Sequence, residues 1–338
     1  MFFFQGYPKL KTRVSAEKMA ALFFIIKETS QATFTLWFLG VKNMADLKKQ
    51  VSENIPGEFF VDNTCIDCDT CRQLAPQTFE DAGSTSYVKV QPQTPEEIRN
   101  ATLALLACPT GSIGTIHKNN ASEFQKNFPM EIENEVFYCG FNSPKSFGGN
   151  SYFIRHPQGN WLIDSPKFLP HLVRQFERSN GITTIFLTHQ DDVADADKYA
   201  AYFKSNRIIH EADQNAQPGS EIIIKGNDVI LPSADFKIIP TPGHTRGHMV
   251  LLYKDKYLFT GDHLWWRRKR KQLGASESLA WYSWGKQTES MSRFLNFDFE
   301  WVLPGHGEKK YLPVHEMRRE LASLINRMKL SPQTNQSK

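Results

Sequence analysis

The sequence predicts an α+β protein of two unequal parts, a small cysteine-bearing module followed by a larger region of short strands and helices. Three observations carry this reading. Cys65, Cys68 and Cys71 recur at two-residue intervals and Cys108 follows in "LLACPTGSIG", which marks a compact ligand-binding module. Beyond "ASEFQKNFP" the composition shifts to short β-branched and aromatic runs separated by Gly, Pro and Asp turns. Four of those runs then end in a histidine or an aspartate.

The chain of 338 residues, 40% hydrophobic and 22% charged, is long enough to bury a sizeable core. A formal net charge of +4, from 40 basic and 36 acidic residues, is too slight an excess to imply a nucleic-acid partner, and none is expected. Five cysteines, an odd number with three crowded into seven positions, make a poor disulfide framework and favour metal ligation in a reducing compartment. The cytoplasm is expected, or a plastid stroma if the first segment is a transit peptide.

Residues 1–43 read as an N-terminal extension, transit-like or preceding the true start at Met44, and poorly ordered. The apolar stretch Met19–Gly40 is split by Lys27 and Glu28 into runs shorter than the roughly 20 residues a spanning helix needs, so no membrane partner is expected.

The module is expected over residues 55–116. Three thiolates on the loop "CIDCDTCRQLAP" can hold three irons of a cubane, and Cys108, followed by Pro109, closes it. Structural zinc also takes Cys-x2-Cys pairs, though more often as two such knuckles. The spacing resembles a bacterial-type ferredoxin. Ala75 stands where the two-cluster form has another cysteine, so the resemblance implies one 4Fe-4S cluster, on Cys65, Cys68, Cys71 and Cys108. Cys139, with no partner at ligand spacing, is expected as a small buried side chain.

The larger region is expected over 130–330. "NSYFIRHPQGNWLIDSP" reads as two strands joined by a turn, and "ITTIFLTH" as a strand ending in His189. "DFKIIPTPGHTRGH" leads to His244, the second arm of the hairpin "MVLLYKDKYLFTGDH" to Asp262, and "FEWVLPGHGE" to His306. Rigid strands that deliver ligand-type side chains from distant segments are what a metal site needs. "LPVHEMRRELASLINRMKL" reads as one amphipathic helix.

With "LIDSP", "LTHQDD", "TPGHTRGH", "FTGDH" and "LPGHG" in this order, the last two hundred or so residues resemble the metallo-β-lactamase superfamily. The resemblance implies a four-layer αβ/βα sandwich with one or two zinc or iron ions at one edge of its sheets. It implies His189, Asp191 and His244 in one half-site, Asp195 and His306 in the other, and Asp262 bridging them. The chain departs from the family's His-x-His-x-Asp-His motif: Asp191 replaces the second histidine, and Asp195-Ala196 falls two residues late. Water, Asp192 or His263 would fill the gap at Ala196. An acid at the second position suits iron or manganese as well as zinc, and flavodiiron enzymes of the same superfamily also carry one.

Asp164 is expected to orient the ligand loop, and Asp192 and Asp197 read equally well as solvated charges at a helix start. The basic run "WWRRKRKQL" is either an anion-collecting patch or a solvated face. The expected activity is metal-dependent hydrolysis of an ester, thioester or lactone in a small-molecule substrate, with Asp262 and Asp195 as catalytic carboxylates. The alternatives are an iron-dependent oxidoreductase fed through the cluster by a redox partner, and a non-catalytic redox sensor.

Overall fold

The computed structural model describes residues 45–117 and 120–330; the expectations for residues 1–43 fall outside them. Residues 45–117 and 120–330 belong to one compact unit. No helix among the described residues is long and apolar enough to cross a membrane.

The cysteine module is built from two antiparallel strand pairs and two helices. Phe59–Val61 pairs with Ile113–Thr115, and Phe79–Asp81 with Ser86–Val88. Helix α1 (Thr70–Leu74) follows the cysteine loop, and α2 (Pro95–Ala107) starts at a capping box in which the Thr94 side chain and Glu97 satisfy each other's backbone N–H groups. Pro95 costs nothing there, because the first turn of a helix has no partner for that N–H.

The larger region is a sandwich of two sheets. The first has seven strands in the order Ile222–Ile224, Asn206–His210, Thr184–Phe186, Trp161–Ile163, Tyr152–Ile154, Val136–Tyr138 and Met130–Glu133. The second has six: Ile230–Ser233, Phe236–Pro240, Met249–Tyr253, Tyr257–Gly261, Trp301–Pro304 and Lys310–Tyr311. Met249–Tyr253 and Tyr257–Gly261 are buried at every residue, as strands covered on both faces must be.

Alternation along each strand sends one set of side chains inward and the other toward helices. Tyr152, Phe259, Leu251 and Phe236 join one core that also takes Leu172 and Phe176 of α3 (Pro170–Arg178) and Tyr199 of α4 (Ala196–Phe203). Val250, Leu252 and Val302 face the opposite way, onto Met291 of α5 (Trp284–Arg293) and Leu321 and Ile325 of α6 (Val314–Leu330). The layers run helix, sheet, sheet, helix. Each fully buried Leu or Phe contributes about 1.5–3 kcal/mol relative to exposure, so the rigidity of the strand tips is held by many such residues.

The four basic residues Arg268 to Lys271 are exposed, as a solvated face requires, yet two of them also have partners in the cysteine module. The basic run forms a hairpin, Trp265–Arg267 against Gln272–Gly274, that grips the cysteine module. Arg268 Nη1 donates to the Arg72 carbonyl at 2.8 Å, and Lys269 Nζ lies 3.1 Å from Asp81 Oδ2. From the neighbouring loop, Lys309 Nζ donates to Gln73 Oε1 at 3.1 Å over the Tyr138 ring. Burial pushes that ammonium down to about 8.

Candidate metal centre

Each candidate ligand sits just past a strand whose end is locked in the core. Thr184–Phe186 leads to His189, which begins the turn Gln190–Asp192; Phe236–Pro240 leads to His244, Tyr257–Gly261 to Asp262 and Trp301–Pro304 to His306. Close approach of these loops depends on Gly305, where an added Cβ would lie 2.5 Å from Asp192 Oδ2 and 2.9 Å from Asp262 Oδ1.

Ligand-type atoms converge in two overlapping groups, His189 with Asp191 and His244, and His189 with Asp192 and Asp262, each with its atoms within 4.8 Å of one another. His244 Nε2 stands 3.6 Å from Asp191 Oδ2 and 3.7 Å from Asp262 Oδ2. His189 Nε2 stands 3.9 and 3.8 Å from the same two atoms. These gaps are too long for hydrogen bonds and close to the ~3.4 Å expected between two atoms bound at about 2.1 Å to one tetrahedral ion. His306 Nδ1 is 2.8 Å from Asp262 Oδ1.

The donor set fits a cation. The Nε2 atoms of His189, His244 and His306 and both oxygens of Asp192 are buried without a hydrogen-bond partner. Each such orphan costs roughly 1–3 kcal/mol, a cost that a shared cation relieves for lone pairs and carboxylate together.

Neighbouring groups aim these lone pairs. The Thr188 hydroxyl donates to Asp164, 3.0 Å from both oxygens, and is thereby left to accept from His189 Nδ1–H at 2.9 Å. His244 Nδ1–H donates to the Leu279 carbonyl at 2.5 Å. Both rings therefore turn Nε2 toward the pocket. Asp164 holds positive φ at 54°, and its carboxyl is buried and pushed up to about 8.

Burial drives His189 down to about 4, favouring the neutral, ligand-ready imidazole. Burial also raises Asp192 well above the usual carboxylate range, helped by the charge of Asp262. Asp191, beside His244, is held below that range. For Asp262 burial acts upward, but His306 outweighs it and the carboxyl lies low. Burial opposes a charge on His306 too, yet Asp262 and Asp192 bring it up to about 10.

Asp195 is not brought to this pocket. Its carboxylate accepts from Lys145 Nζ at 2.8 Å and the Phe168 N–H at 3.0 Å, and pairs with Lys198 at 3.0 Å. Asp192 points inward instead, fully buried, and is no solvated helix charge; Asp197 is exposed in the first turn of α4. Ala196 is sealed in the core. His263 lies beside His248, with ring centroids 5.4 Å apart, and belongs to neither ligand group.

The sequence reading passed over Asp213. Its carboxylate accepts from the Gln190 N–H at 3.1 Å, the Thr245 hydroxyl at 2.6 Å and the Gly247 N–H at 2.9 Å, tying the His189 loop to the His244 loop. No motif surrounds it, so no sequence signal marks it.

The four cysteines Cys65, Cys68, Cys71 and Cys108 line one cavity with Val61, Ile66 and Ile113. Asp67 and Asp69 adopt left-handed φ of 56° and 66°, which aspartate tolerates better than most residues, and curl the loop around the thiols. Arg72 braces both, with Nη1 2.6 Å from Asp67 Oδ1 and Nε 2.6 Å from Asp69 Oδ1. Cys65 Sγ accepts from the Ser86 N–H at 3.4 Å and Cys108 Sγ from the Ser112 N–H at 3.3 Å, contacts that suit thiolates. Cys139 is fully buried away from them.

Residues 61–115 match the family model of the 4Fe-4S single cluster domain of Ferredoxin I, and residues 193–306 that of the metallo-beta-lactamase superfamily. The hydroxyacylglutathione hydrolase of Buchnera aphidicola is 28% identical over 116 residues, 33% of this chain and 46% of that protein. The lactamase-like protein aptB of Emericella nidulans is 26% identical over 170 residues, 47% of this chain and 51% of that protein. The chain thus spans about half the length of the curated relatives it matches. The solved metallo-beta-lactamase from Pontibacter korlensis is 15% identical and overlaps 60% of this chain and 98% of that one, with a TM-score of 0.45.

Proposed function

We propose that this chain, which carries a metallo-β-lactamase superfamily domain behind a single-cluster 4Fe-4S ferredoxin domain, is a metal-dependent hydrolase of a small thioester or a related ester or lactone. The observation that carries this is the convergence of the His189 and His244 Nε2 atoms on the Asp191 and Asp262 carboxylates, each pair 3.6 to 3.9 Å apart, with Asp192 grouped beside His189 and Asp262. The relatives named hydroxyacylglutathione hydrolase favour the thioester.

His189, Asp191 and His244 would hold one zinc or iron ion and Asp192 and His306 a second, with Asp262 between them. Ions there supply Lewis acidity and lower the pKa of water from about 16 toward 7. The chain's own residues do the rest. Thr188 and the Leu279 carbonyl keep His189 and His244 in the tautomer that offers Nε2. Asp191, half-buried at the mouth, and Trp281, 68% exposed with its ring 6.2 Å from that of His244, frame the approach of a substrate. Asp195 takes no part, and Asp192 carries the role assigned to it. Cys65, Cys68, Cys71 and Cys108 would hold one 4Fe-4S cluster, a group that suits a reducing compartment such as the cytoplasm.

The test is turnover of a thioester and lactone panel by the metal-loaded chain and by His244→Ala and Asp262→Ala, with metal content measured on each. Turnover falling in both variants together with metal content is expected; unchanged rates in both remove the proposal.

A further inference from the structure

The two centres touch through two consecutive glycines. At Gly148, with φ of +87°, an added Cβ would lie 2.6 Å from Cys68 Cβ and 3.0 Å from its Sγ. At Gly149 it would lie 2.7 Å from Asp192 Oδ1. Consecutive Cα atoms are 3.8 Å apart, so Cys68 Sγ and Asp192 Oδ1 are separated by at most about 13 Å along this path. The path consists of one peptide unit and two van der Waals contacts.

The turn is fixed from both sides. The Gly148 N–H donates to the Ser143 carbonyl at 2.9 Å and the Gly149 N–H to that of Ser146 at 2.7 Å. The buried Asn142 amide donates to the Gly148 carbonyl at 2.7 Å and to Thr70 Oγ1 at 3.0 Å, while Thr70 Oγ1 in turn accepts from Cys68 Sγ at 3.4 Å. The Asn150 N–H donates to the Gly305 carbonyl at 2.6 Å, next to His306. One short segment thus packs against a cysteine of one centre and a carboxylate of the other. Hydrolysis has no use for that proximity. Electron transfer does, because tunnelling weakens with every ångström of gap and a side chain at either glycine would push the thiolate or the carboxylate away.

We propose that the Gly148–Gly149 turn is a conduit for single electrons from the cysteine-held cluster to a redox-active ion in the histidine–aspartate pocket. The proposal rests on both sites being occupied as argued above, and adds that the pocket works with iron. A one-electron carrier of the reduced ferredoxin or flavodoxin class supplies the electron. The cluster is reduced by one electron and reoxidised, ferric iron in the pocket becomes ferrous, and no bond forms or breaks.

The test uses the full chain, prepared without oxygen, its cluster intact and its pocket filled with iron in one sample and zinc in the other. With dithionite as the donor, the reduced cluster's EPR signal is expected to relax several-fold faster beside iron than beside zinc. In freeze-quenched samples of the iron form, that signal is expected to rise and then fall as ferrous iron appears by Mössbauer spectroscopy. The cluster-free variant Cys71→Ser should reduce its pocket iron several-fold more slowly, and should it fail to fold, the iron and zinc forms of the unaltered chain still decide. Identical relaxation in the two forms, a reduced cluster that persists beside ferric iron, or a pocket that accepts zinc and refuses iron each overturns the conduit. Thioester turnover by the zinc form reads the hydrolase separately: turnover without electron transfer removes the conduit alone, and the reverse removes the hydrolase alone.

Discussion

His306 Nδ1 donates to both oxygens of Asp262, at 2.8 and 3.0 Å, and that carboxylate favours the charged form of the ring. A metal that takes His306 at its unpartnered Nε2 must expel the proton that the charged ring carries there, while the Nδ1 proton stays hydrogen-bonded to Asp262.

Loading the pocket should therefore release a proton near neutral pH, and metal affinity should fall as pH falls. Without metal, the His306 pKa of about 10 lies above its unfolded value of about 6.5. Its contribution to stability is then fully present below pH 6.5 and lost as pH rises toward 10. Titration calorimetry in buffers of different ionisation enthalpy and thermal melts from pH 6 to 10 check both, the melts of metal-loaded protein lacking this alkaline decline.

Asp192→Ala and Asp195→Ala should separate cleanly. The first removes a carboxylate aimed into the pocket and should lower bound metal. The second should leave metal content unchanged and cost about 1–2 kcal/mol, through a lost backbone hydrogen bond and two lysine pairs, both lysines being exposed. Elemental analysis and urea unfolding read the two effects.

Thr188→Val keeps the shape but removes the hydroxyl that joins Asp164 to His189. Metal affinity should drop roughly 10–100-fold, the usual cost of removing a group that orients a ligand, and Thr188→Ser should restore it. Competition with a chelator gives the affinities.

Arg72→Ala leaves Asp67 and Asp69 facing each other in strained left-handed turns. The cysteine loop should loosen by about 1–3 kcal/mol, and the visible absorbance of the cluster should decay faster in air than in the unaltered chain.

The strand tips and the cysteine spacing were legible because both are local: an apolar run ending in His189 or Asp262 is read from neighbours in sequence. The choice between Asp192 and Asp195 was not. They are acids three positions apart in one turn, and what separates them is the Gly149 and Gly305 backbones closing over one and Lys145 reaching the other. Asp213 needed the fold as well, since its partners at 190, 245 and 247 come from two different loops. The basic run showed its charge but not its partners, because Lys269 and Asp81 lie 188 positions apart.

Leu103 and Ala107 of α2 share a buried cluster with Phe128, Tyr138 and Tyr152 of the sandwich. Cutting the chain ahead of residue 130 would therefore bare a greasy aromatic surface, and the severed halves should clump rather than survive as separately usable parts.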